Sequence, residues 1–558
     1  MRSLKIALCQ DAHCVVWLTR EKSRIWAKKV ELLSDIISRM PARSQSSIPF
    51  VLLACVLTGL GLSGPPACTT SSLWSVNGEN WKPEVILPDF SYAGYHAGEA
   101  PIPSPPSRYD LRRDFHAAGD GRTDDTKAFE AALQSVSGGV LFIPEGTYII
   151  TKRIEIARGN LVLRGTSRDK TILLFPQSLT DVYGNKPENN QSQWSFGPGF
   201  LNVTGDDPMG PHTRLAAVTA PAKRGDRELA VSGPLSIAPG EWIRLLENDP
   251  AEGPASGSLL RFLYGDLMPG GAHKDWTVNI VRFLSRVSSV HGNRVLLERA
   301  LPYDVRPEWT PEIHRFEPTI QELGIEHLSI QFPWTPYPGH FKEKGFNAIS
   351  INSAAQCWID DVEIRNADFA IGMNGTNFCT VRNLTLSTSA NRAVDANAHG
   401  WNGHHGVDVS EGTENLITGF NIQTRLVHDV SVEWYALHTV FSNGRGVDLC
   451  MDHHREANYS SLFTDLDCGA GTRPFSSGGS EDLGAHSGAY STFWNIRARS
   501  PLAPPPTGFG PLLNLIGVDT TVAPSSDYKW TVEAIPSSRL CPANLYDAMH
   551  DRRLHGGR

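Results

Sequence analysis

The stretch YDLRRDFHAAGDGRTDDTKAFEAALQSVSGGVLFIPEGTYIITKRIEIARGNLVLRGTSRDKTILLF, residues 109–175, changes character once, at Gly138-Gly139. Before the glycines, Ala128, Phe129, Ala132 and Leu133 make one apolar helical stripe. Asp124-Asp125-Thr126 stands at its start, where side-chain oxygens meet free backbone N–H groups. After the glycines the pattern becomes short β-runs (VLFI, YII, IEI, LVL, TILLF), with Pro, Gly or Asn in most of the gaps. One amphipathic helix over 124–135 followed by closely spaced strands predicts a solenoid whose open end the helix covers.

The rest of the chain fits that reading. At 558 residues it exceeds the size at which one compact core stops growing, and a solenoid lengthens its core with each coil. Aligning CWIDDVEIRN (357–366) on CTVRNLTLST (379–388) gives a repeat of 22 residues, suited to a coil of three short strands. Cys357 and Cys379 then sit one above the other, as a core stack or as a disulfide. Residues 68–108, rich in Pro and Ser, read as an extended arm, and 109–175 as the start of the solenoid. Residues 176–316 carry longer β-runs and wide loops and read as a smaller β-rich insertion. The main body follows over 317–500, and 501–558 is a closing segment ending in a helix with basic residues in its last turn.

The motifs DFHAAGDGRTDDTKAF, GGVLFIPEGTY and LRGTS resemble the opening of the pectate-lyase-like right-handed β-helix superfamily, including its rhamnogalacturonase-like and epimerase-like group. The resemblance is specific over Tyr109–Phe175 and diffuse afterwards. It implies an all-β fold: a single-stranded right-handed parallel β-helix with an N-terminal capping helix. In such folds Gly119, Gly121 and Asp124–Thr126 belong to the structural opening. The reaction stays open, because one β-helix supports lyases, hydrolases, epimerases and plain binding modules.

The N-terminus reads as an address. Ile48–Leu62 is an uncharged apolar stretch, shorter than a membrane span, preceded by MPARSQSS and followed by small residues at Gly64–Ala67. The reading is a signal peptide over 40–67, with translation starting at Met40, residues 1–39 as a non-native extension, and the mature chain beginning near Cys68. A signal anchor or a lipidated Cys68 is the alternative. This predicts a secreted or periplasmic protein with no stable membrane insertion once the signal is removed. A formal net charge of −8 without basic runs argues against nucleic acid as a partner and is compatible with an anionic sugar polymer; it is the resemblance that implies an extended, acidic polysaccharide as substrate.

Residues 399–486 hold eight of the nineteen histidines. His405, His428 and His453 recur at 23 and 25 residues, close to the coil length, and so could line one face. GVDVS (406–410) and GVDLC (446–450) echo each other, which puts Asp408 and Asp448 at equivalent positions. The candidate site is therefore His405, His428, His453, His454, Arg445, Asp448, Asp452 and Arg455, with Asp408 and Glu433 behind them.

Two reactions suit those groups. In β-elimination from a uronate, Arg445 and Arg455 clamp the carboxylate, an imidazole removes the C5 proton, and another group protonates the leaving oxygen. Hydrolysis needs paired carboxylates, with Asp448 and Asp452 the first candidates. The polygalacturonase branch would show NTD, DD, GHG and RIK. The chain has Asp360-Asp361 and GHHG at 403–406, but neither NTD nor RIK. A glycan-binding β-helix without catalysis is the third reading. No cofactor is certain from the sequence. The resemblance leaves calcium open, with Asp448, Asp452, Asp465 and Asp467 as the oxygen donors at hand, although no calcium motif is present. HHRE (453–456) is not HExxH, and no Cys/His spacing matches a zinc motif.

Overall fold

The computed structural model describes residues 68–206, 213–268, 278–393 and 400–556; the extension over 1–39 and the signal peptide over 40–67 lie outside them. The main body is a right-handed parallel β-helix. Trp358 pairs in parallel with Thr380, and Ile364 with Leu386, so the 22-residue repeat is one coil. Cys357 and Cys379 are buried free thiols, and the Cys357 N–H donates to Cys379 Sγ at 3.4 Å. They form a stack, not a disulfide.

One seven-stranded parallel sheet matters most for function. Its strands are β1 (Ile154–Ile156), β2 (Leu201–Thr204), β3 (Asn347–Asn352), β4 (Phe369–Asn374), β5 (His405–Ser410), β6 (His428–Glu433) and β7 (Met451–His453). Ile349, Ile371, Val407, Val430 and Met451 stack in register along it and point into the solenoid core. Each such aliphatic side chain contributes about 1.5–3 kcal/mol on burial, and one more is added with every coil.

The helix α1 (Thr126–Ser135) puts Phe129, Ala132 and Leu133 into that same core. Its start divides the expected capping work between two aspartates. Asp124 accepts from the Thr126 N–H at 3.0 Å, whereas Asp125 turns back to the N–H groups of Ala118 and Gly119 at 2.6 and 2.9 Å.

Three expected boundaries move. Parallel pairing runs from Ser107–Asp110 to Thr531–Glu533, beyond the expected limits of the coils at both ends. Strand β2 lies within the expected insertion but pairs with β1 and β3, so it is part of the solenoid. The insertion proper is a six-stranded antiparallel sheet from Arg214–Ala217 to Glu312–Arg315, with its own core of Ile243, Leu245, Phe283, Val295 and Ile313.

The C-terminal helix Leu545–His555 runs along the flank of the coils instead of closing their end. Leu545 N–H donates to Thr464 Oγ1 at 3.0 Å, and Asn544 Nδ2 to Ser442 Oγ at 2.8 Å. Its Leu545 and Met549 join Trp74, Leu87 and Phe90 of the arm over Val440, Leu462 and Trp494. A disulfide between Cys68 and Cys541 and the parallel pairing of Thr69–Thr70 with Leu540–Cys541 tie the two termini of the described chain together. Among the described residues no helix is long and apolar enough to cross a membrane.

Candidate active site

Register along β4–β6 builds the site floor. Phe369 lies opposite His405, and His405 opposite His428. Their rings form a ladder, with centroids 4.7 Å apart for Phe369–His405 and 4.8 Å for His405–His428. Further along the same strands, Gly372, Asp408, Ser431 and Asp452 occupy one cross-strand row, and Glu433 lies opposite Ser410. Glycine at 372 leaves the space that the Phe369 ring fills.

Asp452 is the hub. Its Oδ2 lies 3.0 Å from His428 Nδ1 and 2.9 Å from His454 Nδ1 and accepts from Ser431 Oγ at 3.1 Å. Its Oδ1 accepts from the Gly478 N–H at 2.8 Å. Burial opposes charge on Asp452, but the two imidazoles hold its carboxyl well below the usual range. Burial would likewise lower His454, yet Asp452, Glu433 and Asp408 together push it up to about 10. Burial drives His404 and His405 well below the ordinary imidazole value, and the neighbouring rings add to this. His340 falls to about 4 for the same reasons. Burial raises Asp408 to about 7 and lifts Glu433 as well, the adjacent Asp408 adding to the effect on Glu433. The floor thus holds both proton donors and proton acceptors at neutral pH.

Loops from outside the sheet supply the walls. Glu343, buried, accepts from Tyr337 OH at 2.6 Å, from the Phe341 N–H at 3.1 Å and from Ser195 Oγ. It thereby fixes the loop bearing His340 and Phe341 against the loop bearing Phe196. His340 stacks on Phe341 at 3.7 Å and approaches His404 at 4.6 Å and Trp401 at 6.2 Å. Phe196, 57% exposed, lies 5.7 Å from the His404 ring. Opposite them, Gly478 passes so close to His454 that an added Cβ would lie 2.2 Å from its Cε1. Aromatic rings over a polar floor suit a sugar ring, which offers an apolar face and polar edges.

Of the residues expected at the site, His405, His428, His454 and Asp452 come together, and four do not. His453 is opposite Val432 and is wholly buried, its ring 5.0, 5.4 and 5.2 Å from those of Phe463, Phe493 and Phe509. One residue of register separates it from the outer face. Arg445 is exposed on the strand Val440–Gly446 of another sheet, where its Nε donates to Asn421 Oδ1 at 3.1 Å. Asp448 caps a turn, accepting from Thr472 N–H and Oγ1 at 2.8 and 2.6 Å, and the row containing Asp408 continues through Asp452 instead. Arg455 is spent on the loop, donating to the carbonyls of Gly479 and Gly484.

Sequence spacing missed His340, His404, Glu343 and Phe196. The GHHG doublet flagged His404, but the other three come from loops with no periodic signal. Calcium does not fit the donors that converge. Asp465 and Asp467 are elsewhere, bonded to Arg497 and to the Gly469 N–H. The groups of potential metal donors among the described residues are dominated by imidazole nitrogen, whereas calcium takes six to eight oxygens.

Residues 112–204 match the family described as rhamnogalacturonase A/epimerase, pectate lyase-like. Alginate lyase 7 of Azotobacter vinelandii is 27% identical over 107 residues, covering 17% of this chain and 12% of that protein. The preneck appendage protein of Bacillus phage PZA is 37% identical over 65 residues, 12% of this chain and 7% of its own. These matches thus span only a small part of either relative. The solved tailspike gp49 of Pseudomonas phage LKA1 aligns over 73% of this chain and 70% of its own, at 13% identity and a TM-score of 0.44. The main body of this chain is thus a right-handed parallel β-helix whose opening, residues 112–204, resembles the pectate lyase-like family.

Proposed function

We propose that the protein is a secreted enzyme that cleaves an acidic polysaccharide by β-elimination on the outer face of β5–β7. The observation that carries this reading is the in-register imidazole ladder beside the Asp452–His454 ion pair, under a rim of aromatic rings. His454, directly after β7 and 18% exposed, presents positive charge to a uronate carboxylate. Neither ring nitrogen of His405 has a hydrogen-bond partner, and Nδ1 lies 3.9 Å from Asp408. His405 accepts the C5 proton, and Asp408 or Glu433 returns a proton to the leaving oxygen. Alginate lyase 7, named for this class of reaction, resembles part of the chain. The Cys68–Cys541 disulfide suits an oxidising compartment and so supports export.

One observation favours hydrolysis as the second reading. Asp408 and Glu433 lie on adjacent strands and perturb each other, as a carboxyl pair sharing a proton does. Incubating purified protein with a panel of polyuronates separates the two. Elimination yields unsaturated uronates that absorb in the ultraviolet, and hydrolysis yields reducing ends without that absorbance. Absence of any cleavage across the panel would leave glycan binding as the function of the groove.

A further inference from the structure

The three imidazoles His340, His404 and His428 come from different parts of the chain, and one nitrogen from each lies within 4.8 Å of the others. We propose that they form a binding site for a divalent transition-metal ion of zinc's class. Nothing in the spacing of these residues suggests a zinc motif; the loop holding His340, the bend before β5 holding His404 and the start of β6 holding His428 bring them together.

The hydrogen-bond pattern decides which nitrogens are available. His404 Nδ1 lies 3.0 Å from the Ser195 carbonyl oxygen, which can only accept, so the ring proton is on Nδ1 and the lone pair on Nε2. His428 Nδ1 lies 3.0 Å from the Asp452 carboxylate as an ion-pair contact, out of line for a hydrogen bond. Nε2 of His340, of His404 and of His428 are all buried without a hydrogen-bond partner. Two of these side chains are more than nine-tenths buried, at 0% and 6% exposure. Buried lone pairs turned toward one another repel and are desolvated; a shared cation relieves both costs.

The surroundings match what metal-binding histidines have elsewhere. A liganding imidazole donates its other N–H to a carboxylate or a backbone carbonyl; here the Ser195 carbonyl takes that of His404, and the Asp452 carboxylate lies 3.0 Å from Nδ1 of His428. The Asp452 carboxylate, 3.0 Å from His428 Nδ1, places negative charge beside the three imidazoles. Three nitrogen donors select zinc or a neighbouring first-row ion over calcium or magnesium. Zinc with three protein ligands keeps a fourth position open, and the rings of Phe196, Phe341 and Trp401 pack beside His404 and His340. An ion there would add Lewis-acid charge next to a bound carboxylate. The inference rests on donor geometry and stands whether the groove eliminates, hydrolyses or only binds.

The test is titration of tag-free, chelator-treated protein with Zn²⁺ by calorimetry and with Co²⁺ by visible absorption. Saturable, stoichiometric binding with a tetrahedral-type cobalt spectrum is expected. His404→Ala and His340→Ala should abolish it, Asp452→Asn should weaken it about 10–100-fold, and His486→Ala should leave it unchanged. His340 is loop-borne and half-buried, so His340→Ala reports on the site even if His404→Ala fails to fold. No saturable binding by wild type, or wild-type binding by folded His340→Ala, would overturn the assignment.

Discussion

His428 and His454 meet edge to face, their ring centroids 4.8 Å apart, because both turn Nδ1 to the same oxygen of Asp452. Two rings in contact on adjacent coils are held at a fixed angle by one buried carboxylate, and the carboxylate is itself held by Ser431 and the Gly478 N–H. Mutations that disturb this hub should therefore act on activity before they act on folding.

Gly478→Ala tests the hub from the loop side. Its Cβ would meet His454 Cε1 at 2.2 Å and His428 Cε1 at 2.8 Å, so the loop or the rings must shift. A displacement of about 1 Å in a catalytic group costs on the order of 10²-fold in rate. The expected result is a loss of that order in kcat/KM on a cleaved polysaccharide, with an unchanged circular dichroism spectrum.

His453 should behave as a core residue. Burial lowers it from 6.5 to about 4, so the folded protein keeps the ring neutral while the unfolded chain protonates near its ordinary value. The stability it contributes is present above about pH 6.5 and is lost as pH falls toward 4. His453→Phe keeps the packing with Phe463, Phe493 and Phe509 and removes this proton linkage. Melting curves from pH 7 to pH 4 should show a shallower acid decline for the variant than for wild type.

These outcomes bear on what the sequence could reveal. The fold was legible because periodicity of 2 within strands and of 22 between coils is imposed by the backbone ladder itself. His405 and His428 were legible for the same reason. His453 was misplaced because equal spacing identifies a coil but not the parity of a side chain, and a shift of one residue turns it inward. Arg445 shows the companion error: it belongs to the right coils but to another sheet. His340, Glu343 and Phe196 lie on loops whose return to the groove is set by contacts such as Tyr337–Glu343, which leave no pattern along the chain.

Glu247, in the insertion, is wholly buried and neither carboxyl oxygen has a hydrogen-bond partner among the described residues. Burial, helped by Asp304 and opposed by Arg306, pushes it well above the ordinary carboxylate range. Its folded form favours the proton, so it destabilises the protein increasingly as pH rises above the unfolded value near 4.5. Glu247→Gln should raise the melting temperature at pH 8 and make little difference near pH 4.

The Cys68–Cys541 disulfide closes a loop of 473 residues in sequence. Cys541→Ala should cost about 2–4 kcal/mol and expose the arm to protease. Denaturant unfolding and limited proteolysis with N-terminal sequencing of the fragments would measure both effects.

The central claim is that the outer face of β5–β7 performs the chemistry, and paired turnover measurements test it most directly. On a polyuronate that wild type cleaves, His405→Ala should lose about 10²–10⁴ in rate while remaining folded, and His453→Phe should retain wild-type turnover. A folded His405→Ala protein that cleaves at the wild-type rate, with unsaturated product accumulating as before, would contradict the account.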